Sequence, residues 1–408
     1  MSIRTALAAA VAALVAAPLA LAQPVQPWRL AQPLASTELD SPAARSGHRL
    51  LVDSRAMAAD TLELPLPGGP VQVRLTTREL REHGALWRGH VVGEPQHPVS
   101  LTWHRGRLAG LLSLADATWE IAPEADARSR LLKIDHGLYP ECSGTVAAQA
   151  QPAAAPEGTP DVPFRDASTD IDVIIFYTAA ARVGADGTGD PAAIQATAQA
   201  AVDAANLAFS QSNLASRFKL VAALELDFTE SGNASTDLSA FRANATVNAA
   251  RDAYLADQSG LLVENGGGGC GIGYLMTSPG PGFAGSAFQV TARTCAVGNL
   301  TYAHEHGHNM GMAHNPENGS SAAHPFAFGH WNNTSAVATE RFRTVLSYSN
   351  PCTTANCTRR PYFSNPLVQY MGQPTGIADQ RDNARNMELV TDTVANWRIK
   401  TILRHGFD

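Results

Sequence analysis

Four of the 13 histidines in this 408-residue chain fall in one short run, His304-Glu305-His306-Gly307-His308-Asn309-Met310-Gly311-Met312-Ala313-His314. The run fits the pattern H-E-x-x-H-x-x-G-x-x-H. On a helix, residues four apart stand one above the other, so His304 and His308 offer two imidazoles to a single metal ion. Glu305 is rotated by about 100° from His304. That sets its carboxylate beside the ion rather than on it, where a base can take a proton from coordinated water. Gly311 can adopt the left-handed backbone that ends a helix and turns the chain, bringing His314 back as a third nitrogen ligand. Three imidazoles plus water make an open site of the catalytic kind, and zinc is the expected ion. Calcium binding cannot be read from the sequence. His306, two positions along from His304, falls on another face and reads as a supporting or surface histidine.

Those side chains need a frame, and the sequence before them supplies one. Asp172-Val173-Ile174-Ile175-Phe176-Tyr177-Thr178 is a continuous apolar run, as expected of a buried strand. Asp190-Pro191 opens an Ala-rich helix to about Gln211, with Asp190 as N-cap and Pro191 in the first turn. A second strand is expected at 218–228, a second long helix at 236–257, and further strands at 261–263, 272–276 and 287–291. Alternation of this kind predicts an α/β layer built on a mixed sheet. Upstream, from about 48 to 140, short alternating segments with polar breaks predict a small β-rich domain. Residues 23–45 are rich in Pro, Ala and Gln and are expected to be poorly ordered. The first residues carry one basic group, Arg4, an Ala/Leu/Val stretch and a small-x-small ending at Ala22. They read as an export signal cleaved after Ala22, with a membrane anchor as the alternative. The expected organisation is a signal peptide at 1–22, a β-rich domain at 23–150, a Pro/Ala/Gly linker open to proteases at 151–168, the α/β domain at 169–400 and a tail at 401–408.

Composition narrows the rest. Lys and Arg number 30 against 37 Asp and Glu, a net charge of −7, and apolar residues make up 45% against 16% charged. This excludes a disordered polyampholyte and, with no basic cluster, a nucleic-acid binder. No later segment is long and apolar enough to span a bilayer, so no membrane partner is expected after signal cleavage, and a monomer is expected. Of the five cysteines, proximity favours pairing Cys270 with Cys295 and Cys352 with Cys357 among the three possible connectivities. Cys142 is left over.

The long histidine motif resembles the metzincin clan of zinc endopeptidases. Asn315, the residue after the third histidine, is nearest to the Asp of reprolysins (adamalysins). Together with Cys270-Gly271-Ile272-Gly273-Tyr274-Leu275, Ala292-Arg293-Thr294-Cys295-Ala296 and the Asp382-to-Arg398 ending, it resembles bacterial reprolysin-like peptidases, including the peptidyl-Asp metallopeptidases. The resemblance implies a metzincin-like α/β catalytic domain, a mixed twisted sheet with two long helices and an active-site helix, preceded by a small β-rich prodomain. It implies protein or peptide substrates, lying as an added strand along Ile272, Gly273, Tyr274 and Leu275. Two positions depart from the pattern: Leu346 stands where the clan has a methionine beneath the metal, and Asn315 lacks a carboxylate that would support the turn. Tyr348 takes the place of a metal-approaching tyrosine in some branches, or is a packing residue. Cys142 resembles a cysteine switch whose thiolate closes a zymogen's metal site, or is an incidental thiol. Arg359 and Arg360 would line a pocket for an acidic residue after the scissile bond, or are solvated beside a small disulfide loop. The function so implied is a secreted zinc endopeptidase made as a zymogen; the alternative is a secreted zinc-binding or adhesion module on a disabled protease scaffold.

Overall fold

The computed structural model describes residues 25–126, 128–147, 169–319, 321–352 and 357–398. The expected signal at 1–22, the linker at 151–168 and the tail at 401–408 lie outside the described residues. Nine strands form the first sheet: β1 (Trp28–Pro33), β2 (Ala44–Val52), β3 (Thr61–Leu64), β4 (Val71–Arg81), β5 (Gly84–Val91), β6 (Glu94–His104), β7 (Arg107–Ser113), β8 (Thr118–Pro123) and β9 (Arg128–Ile134). Their order is β1-β2-β9-β8-β7-β6-β5-β4-β3, every neighbouring pair antiparallel. Alternation drives the packing: Val99, Leu101, Leu112, Ile121 and Leu131 point to one core with Trp28, Trp87 and Trp119. The β6–β7 link is a two-residue turn, Arg105 at φ 47° and Gly106 at φ 78°, both left-handed as such hairpins require.

Residues 23–45 correct the expectation of disorder over their described part. Trp28 is buried, its indole N–H donates to Pro65 O at 3.0 Å, and β1 pairs with β2. Composition missed this because one buried aromatic ring outweighs several neighbouring prolines.

The second sheet contains β10 (Thr145–Ala147), β11 (Asp170–Tyr177), β12 (Arg217–Glu225), β13 (Gln258–Val263), β14 (Gly271–Leu275) and β15 (Phe288–Ala292), in the order β10-β14-β15-β13-β11-β12. Only the β14–β15 pair is antiparallel; the others are parallel, so the sheet is mixed. Its helices are α1 (Ala179–Asp186), α2 (Pro191–Gln211), α3 (Ala234–Ala243), α4 (Ala245–Ala253), α5 (Thr301–Asn309) and α6 (Asn383–Val394). Asp190 caps α2 by accepting the Ala192 N–H at 2.9 Å. α2 lies between the two sheets, against β6 and β7 on one side and β12 on the other.

The expectation of two long helices is corrected: only α2 is long, and the 236–257 helix is broken into α3 and α4. Asn244 causes the break. With ψ 120° it leaves the helical conformation, closing α3 and capping α4 through the Val247 N–H. Cys270–Cys295 and Cys352–Cys357 are bonded and Cys142 is free. Among the described residues no helix is long and apolar enough to cross a membrane.

Candidate metal centre

The helix α5 is buried along its whole length, and glycines let it settle on β14. A Cβ on Gly273 would stand 2.8 Å from Glu305 O, and one on Gly271 would stand 2.9 Å from Glu305 Cγ. Beneath the helix, a Cβ on Gly307 would meet Leu346 Cδ2 at 3.0 Å. Leu346 is fully buried and forms an apolar floor where the resemblance led to a methionine. The chain leaves the helix at Met310, and Gly311 takes φ 81°.

Around this corner the three Nε2 atoms converge. His308 Nε2 is 3.1 Å from both His304 Nε2 and His314 Nε2, and those two are 3.2 Å apart. His304 Nδ1 donates to Val345 O at 2.8 Å and His308 Nδ1 to Met312 O at 2.7 Å; His314 has a backbone hydrogen bond to Asn318. With the proton held on Nδ1, the Nε2 lone pairs face one another with no hydrogen between them. That arrangement is repulsive unless a cation sits among them. Ligands about 2.0 Å from a tetrahedral zinc ion are about 3.3 Å apart, so the observed spacing fits such an ion. Burial holds the imidazoles neutral, His308 at about 4 and His314 at about 2, with His304 also lowered. Neutral imidazole is the ligating form.

Cys142 completes the set. Its Sγ lies 3.3 Å from His304 Nε2 and 3.3 Å from His314 Nε2, and the four potential donor atoms all fall within 4.8 Å of one another. The Tyr348 hydroxyl contacts the same sulfur at 2.7 Å and donates to Cys142 O at 3.2 Å; its ring lies 4.0 Å from that of His314. Tyr348 thus borders the site. Glu305 is fully buried beside it, and neither carboxylate oxygen has a hydrogen-bonded partner; burial raises its pKa well above the ordinary range. Asn315 does as an amide what a carboxylate was expected to do, its Oδ1 accepting from Tyr348 N at 2.9 Å and from Ser347 Oγ at 3.3 Å.

The remaining sequence-derived positions divide. Ile272, Gly273, Tyr274 and Leu275 lie in β14, but β14 is not an edge here: Thr145, Val146 and Ala147 pair with Gly273, Tyr274 and Leu275. His306 is not a surface residue. It is buried beneath the sheet, with Nδ1 2.5 Å from Gln258 Oε1. Neither Arg359 nor Arg360 is solvated; both are buried. Arg359 borders the site, donating to Asn299 O at 2.9 Å and Ser347 O at 3.2 Å. Arg360 corrects the expectation of a paired arginine pocket. It donates to Leu114 O at 2.6 Å and Ala115 O at 3.0 Å in the first sheet's β7–β8 loop, because adjacent residues of an extended segment point to opposite sides.

Two residues at the site went unnoticed in the sequence. Arg343, fully buried, lies with Arg359 around the carboxylate of Glu141, at 4.0 and 3.8 Å. Glu141 also accepts from Ser349 N at 2.6 Å and from the Ser349 hydroxyl. Adjacency to the unpaired Cys142 was the one available signal for Glu141. Arg343 carried none.

Residues 167–364 match the model of metallo-peptidase family M12, of reprolysin type. The chain is 28% identical over 393 residues to a peptidyl-Asp metalloendopeptidase of Stenotrophomonas maltophilia, covering 90% of each chain. It is 26% identical over 402 residues to one from Xanthomonas campestris pv. campestris, covering 90% of this chain and 89% of that one. Among solved structures, metalloproteinase-II from Bacteroides fragilis aligns with 62% of this chain and 81% of its own at a TM-score of 0.39 and 7% identity, too distant for its site to be compared. The convergent histidines thus lie within the region that matches metallo-peptidase family M12, and the protein is a zinc metalloendopeptidase.

Proposed function

We propose that the chain is an exported, latent precursor of a zinc endopeptidase in which His304, His308 and His314 hold the ion and Glu305 is the catalytic base. In this reading residues 1–22 direct export, residues 23–150 form the propeptide domain, 151–168 is the cleavable linker, and 169–400 is a metzincin-like catalytic domain. The observation that carries it is the convergence of Cys142 Sγ with three Nε2 atoms, all four donors within 4.8 Å. One thiol and three imidazoles are a zinc donor set, and a thiolate there fills the position that catalysis needs for water.

Zinc bound there supplies Lewis acidity and brings the pKa of a coordinated water to about 7. The protein's own groups do the rest. Glu305, with no hydrogen-bonded partner on either oxygen, accepts a proton from the attacking water and returns it to the leaving amine. The Tyr348 hydroxyl, freed from the sulfur, is within reach of the oxyanion that develops on the scissile carbonyl. Once Thr145–Ala147 withdraws, the outer edge of β14 is open for an extended substrate. Arg359 supports a preference for an acidic residue after the scissile bond, in line with the peptidyl-Asp relatives.

The test compares four preparations: intact chain, chain freed of its N-terminal part, and both carrying Glu305→Ala. Zinc content and casein hydrolysis are measured, and the product ends are sequenced. One zinc per chain in all four, proteolysis only in the freed parent, and acidic residues at the new N-termini are expected. Proteolysis by the Glu305→Ala variant at the parent rate would overturn the mechanism.

A further inference from the structure

We propose that Glu141 is a tethered substrate mimic, occupying the pocket that receives the acidic side chain of a substrate, and that Arg343 and Ser349 build that pocket together with Arg359. The proposal rests on the reading above, in which the freed enzyme cuts before an acidic residue, and extends it to how that same pocket keeps the precursor silent.

Charge is the first argument. Arg343 and Arg359 are both almost wholly buried, at 1% and 3% exposure, and Glu141 is the one carboxylate found within 4.0 Å of either among the described residues. Their hydrogen-bond acceptors are backbone carbonyls: Ser347 O for both, and Asn299 O for Arg359. The Nε of each is buried without an acceptor. Two cations taken out of water without a counter-charge are costly. When the segment carrying Glu141 leaves, the pocket therefore demands another anion. Ser349 adds shape to the demand, since its backbone N–H and hydroxyl both donate to the Glu141 carboxylate. A carboxylate-sized ligand is recognised from two sides.

Direction is the second. Cys142 stands in the histidine cluster and its predecessor Glu141 stands in the arginine pocket. The chain then runs alongside β14, with Ser143 N donating to Gly271 O at 2.8 Å and Thr145–Ala147 parallel to Gly273–Leu275. In a substrate with the acid after the scissile bond, the acidic residue is C-terminal to the group at the metal. Here it is N-terminal. The same two subsites are therefore filled by a chain running the opposite way, and a productive substrate must run antiparallel to β14. Reversal explains how a segment can satisfy both subsites without being cut: a thiol, not a peptide carbonyl, faces the cluster.

A synthetic peptide of residues 137–147 supplies the probe, tested as an inhibitor of the freed enzyme cleaving paired fluorogenic substrates with Asp or Ala after the scissile bond. The parent peptide should inhibit. Glu141→Gln should weaken it by about tenfold or more, as for loss of the counter-charge to two buried cations, with Cys142 intact. Against an Arg343→Ala enzyme the Gln and Glu peptides should be equipotent, and the same enzyme should lose its preference for the Asp substrate. Folding of that variant is checked by bound zinc and by its remaining cleavage of the Ala substrate. A second measurement avoids the variant altogether: in the intact chain, Glu141→Gln should speed alkylation of the Cys142 thiol. Equal potency of the two peptides on the parent enzyme, with the Asp preference intact, overturns the mimic while leaving the protease reading standing. A parent enzyme with no Asp preference overturns the acidic preference, and the mimic with it.

Discussion

Glu120 in β8 gives a prediction whose size follows from the structure. It lies against the Gly298 corner that leads into α5, so close that a Cβ on Gly298 would stand 2.3 Å from its Oε2. Burial raises its pKa to about 7, outweighing Arg293 and Arg130, which pull it down; Asp40 adds to the rise. Its Oε2 has no hydrogen-bonded partner. A carboxyl raised in the folded state binds a proton that the unfolded chain has already lost, so stability falls as pH rises from the unfolded value towards 7 and stays low above it. From an ordinary carboxyl near 4.5 to about 7, at about 1.4 kcal/mol per unit, the loss between pH 5 and pH 8.5 is about 2 to 3 kcal/mol. Glu120→Gln keeps the shape and removes the titration. Denaturant unfolding of parent and variant at pH 5 and pH 8.5 isolates the effect as a difference of differences, since every other titrating group is common to both. The variant should gain about 2 to 3 kcal/mol on the parent between the two pH values. A gap that does not change with pH, or changes in the parent's favour, refutes the argument that this carboxyl is buried neutral.

Other substitutions test the frame beneath the histidines. Leu346→Ala should destabilise the chain by about 2 to 5 kcal/mol in thermal or chemical unfolding, whereas Leu346→Met should cost less than about 1.5 kcal/mol and keep zinc binding. Gly311→Ala combines a left-handed backbone with a Cβ 2.4 Å from Ala323 Cβ; it should displace His314 and weaken zinc affinity at least tenfold in a competition titration with a chelator, about 1.4 kcal/mol. Gly273→Ala places its methyl against the Glu305 carbonyl and should depress proteolysis by the freed enzyme far more than zinc content, because it shifts the base more than the ligands.

What the sequence disclosed follows from distance along the chain. The histidines, Glu305 and Gly311 lie within one helix and its exit turn, so spacing alone relates them. Glu141, Arg343 and Ser349 meet only through tertiary structure, about two hundred positions apart, and no local pattern marks a pair of that kind. Arg359 and Arg360 looked alike because composition ignores the pleat that sends neighbours to opposite sides. The β14 strand was legible, but its covered edge was not, since the three residues that pair with it contribute almost no pattern of their own. Asn244 hid inside a helical period because its capping role appears only when the backbone has already turned.

The helix between the two sheets carries a last consequence. Nine of the 21 residues of α2 are alanine, so the layer joining the halves of the molecule is built largely of single methyl groups, which present shallow relief and little apolar area each. Asp203 sits fully buried in it, gripped from the first sheet by Arg81 at 2.9 and 2.8 Å and by the Thr102 hydroxyl at 2.7 Å. Arg107 of β7 also grips Asp190, the cap of the same helix, at 2.7 Å, so such a boundary is fastened by polarity at two points rather than by interlocking bulk. Were the halves to part after proteolysis, the newly wetted face would be smooth, weakly hydrophobic and marked by two acids, Asp190 and Asp203. That is a surface suited to life in solution without its former cover, and a poor template for aggregation.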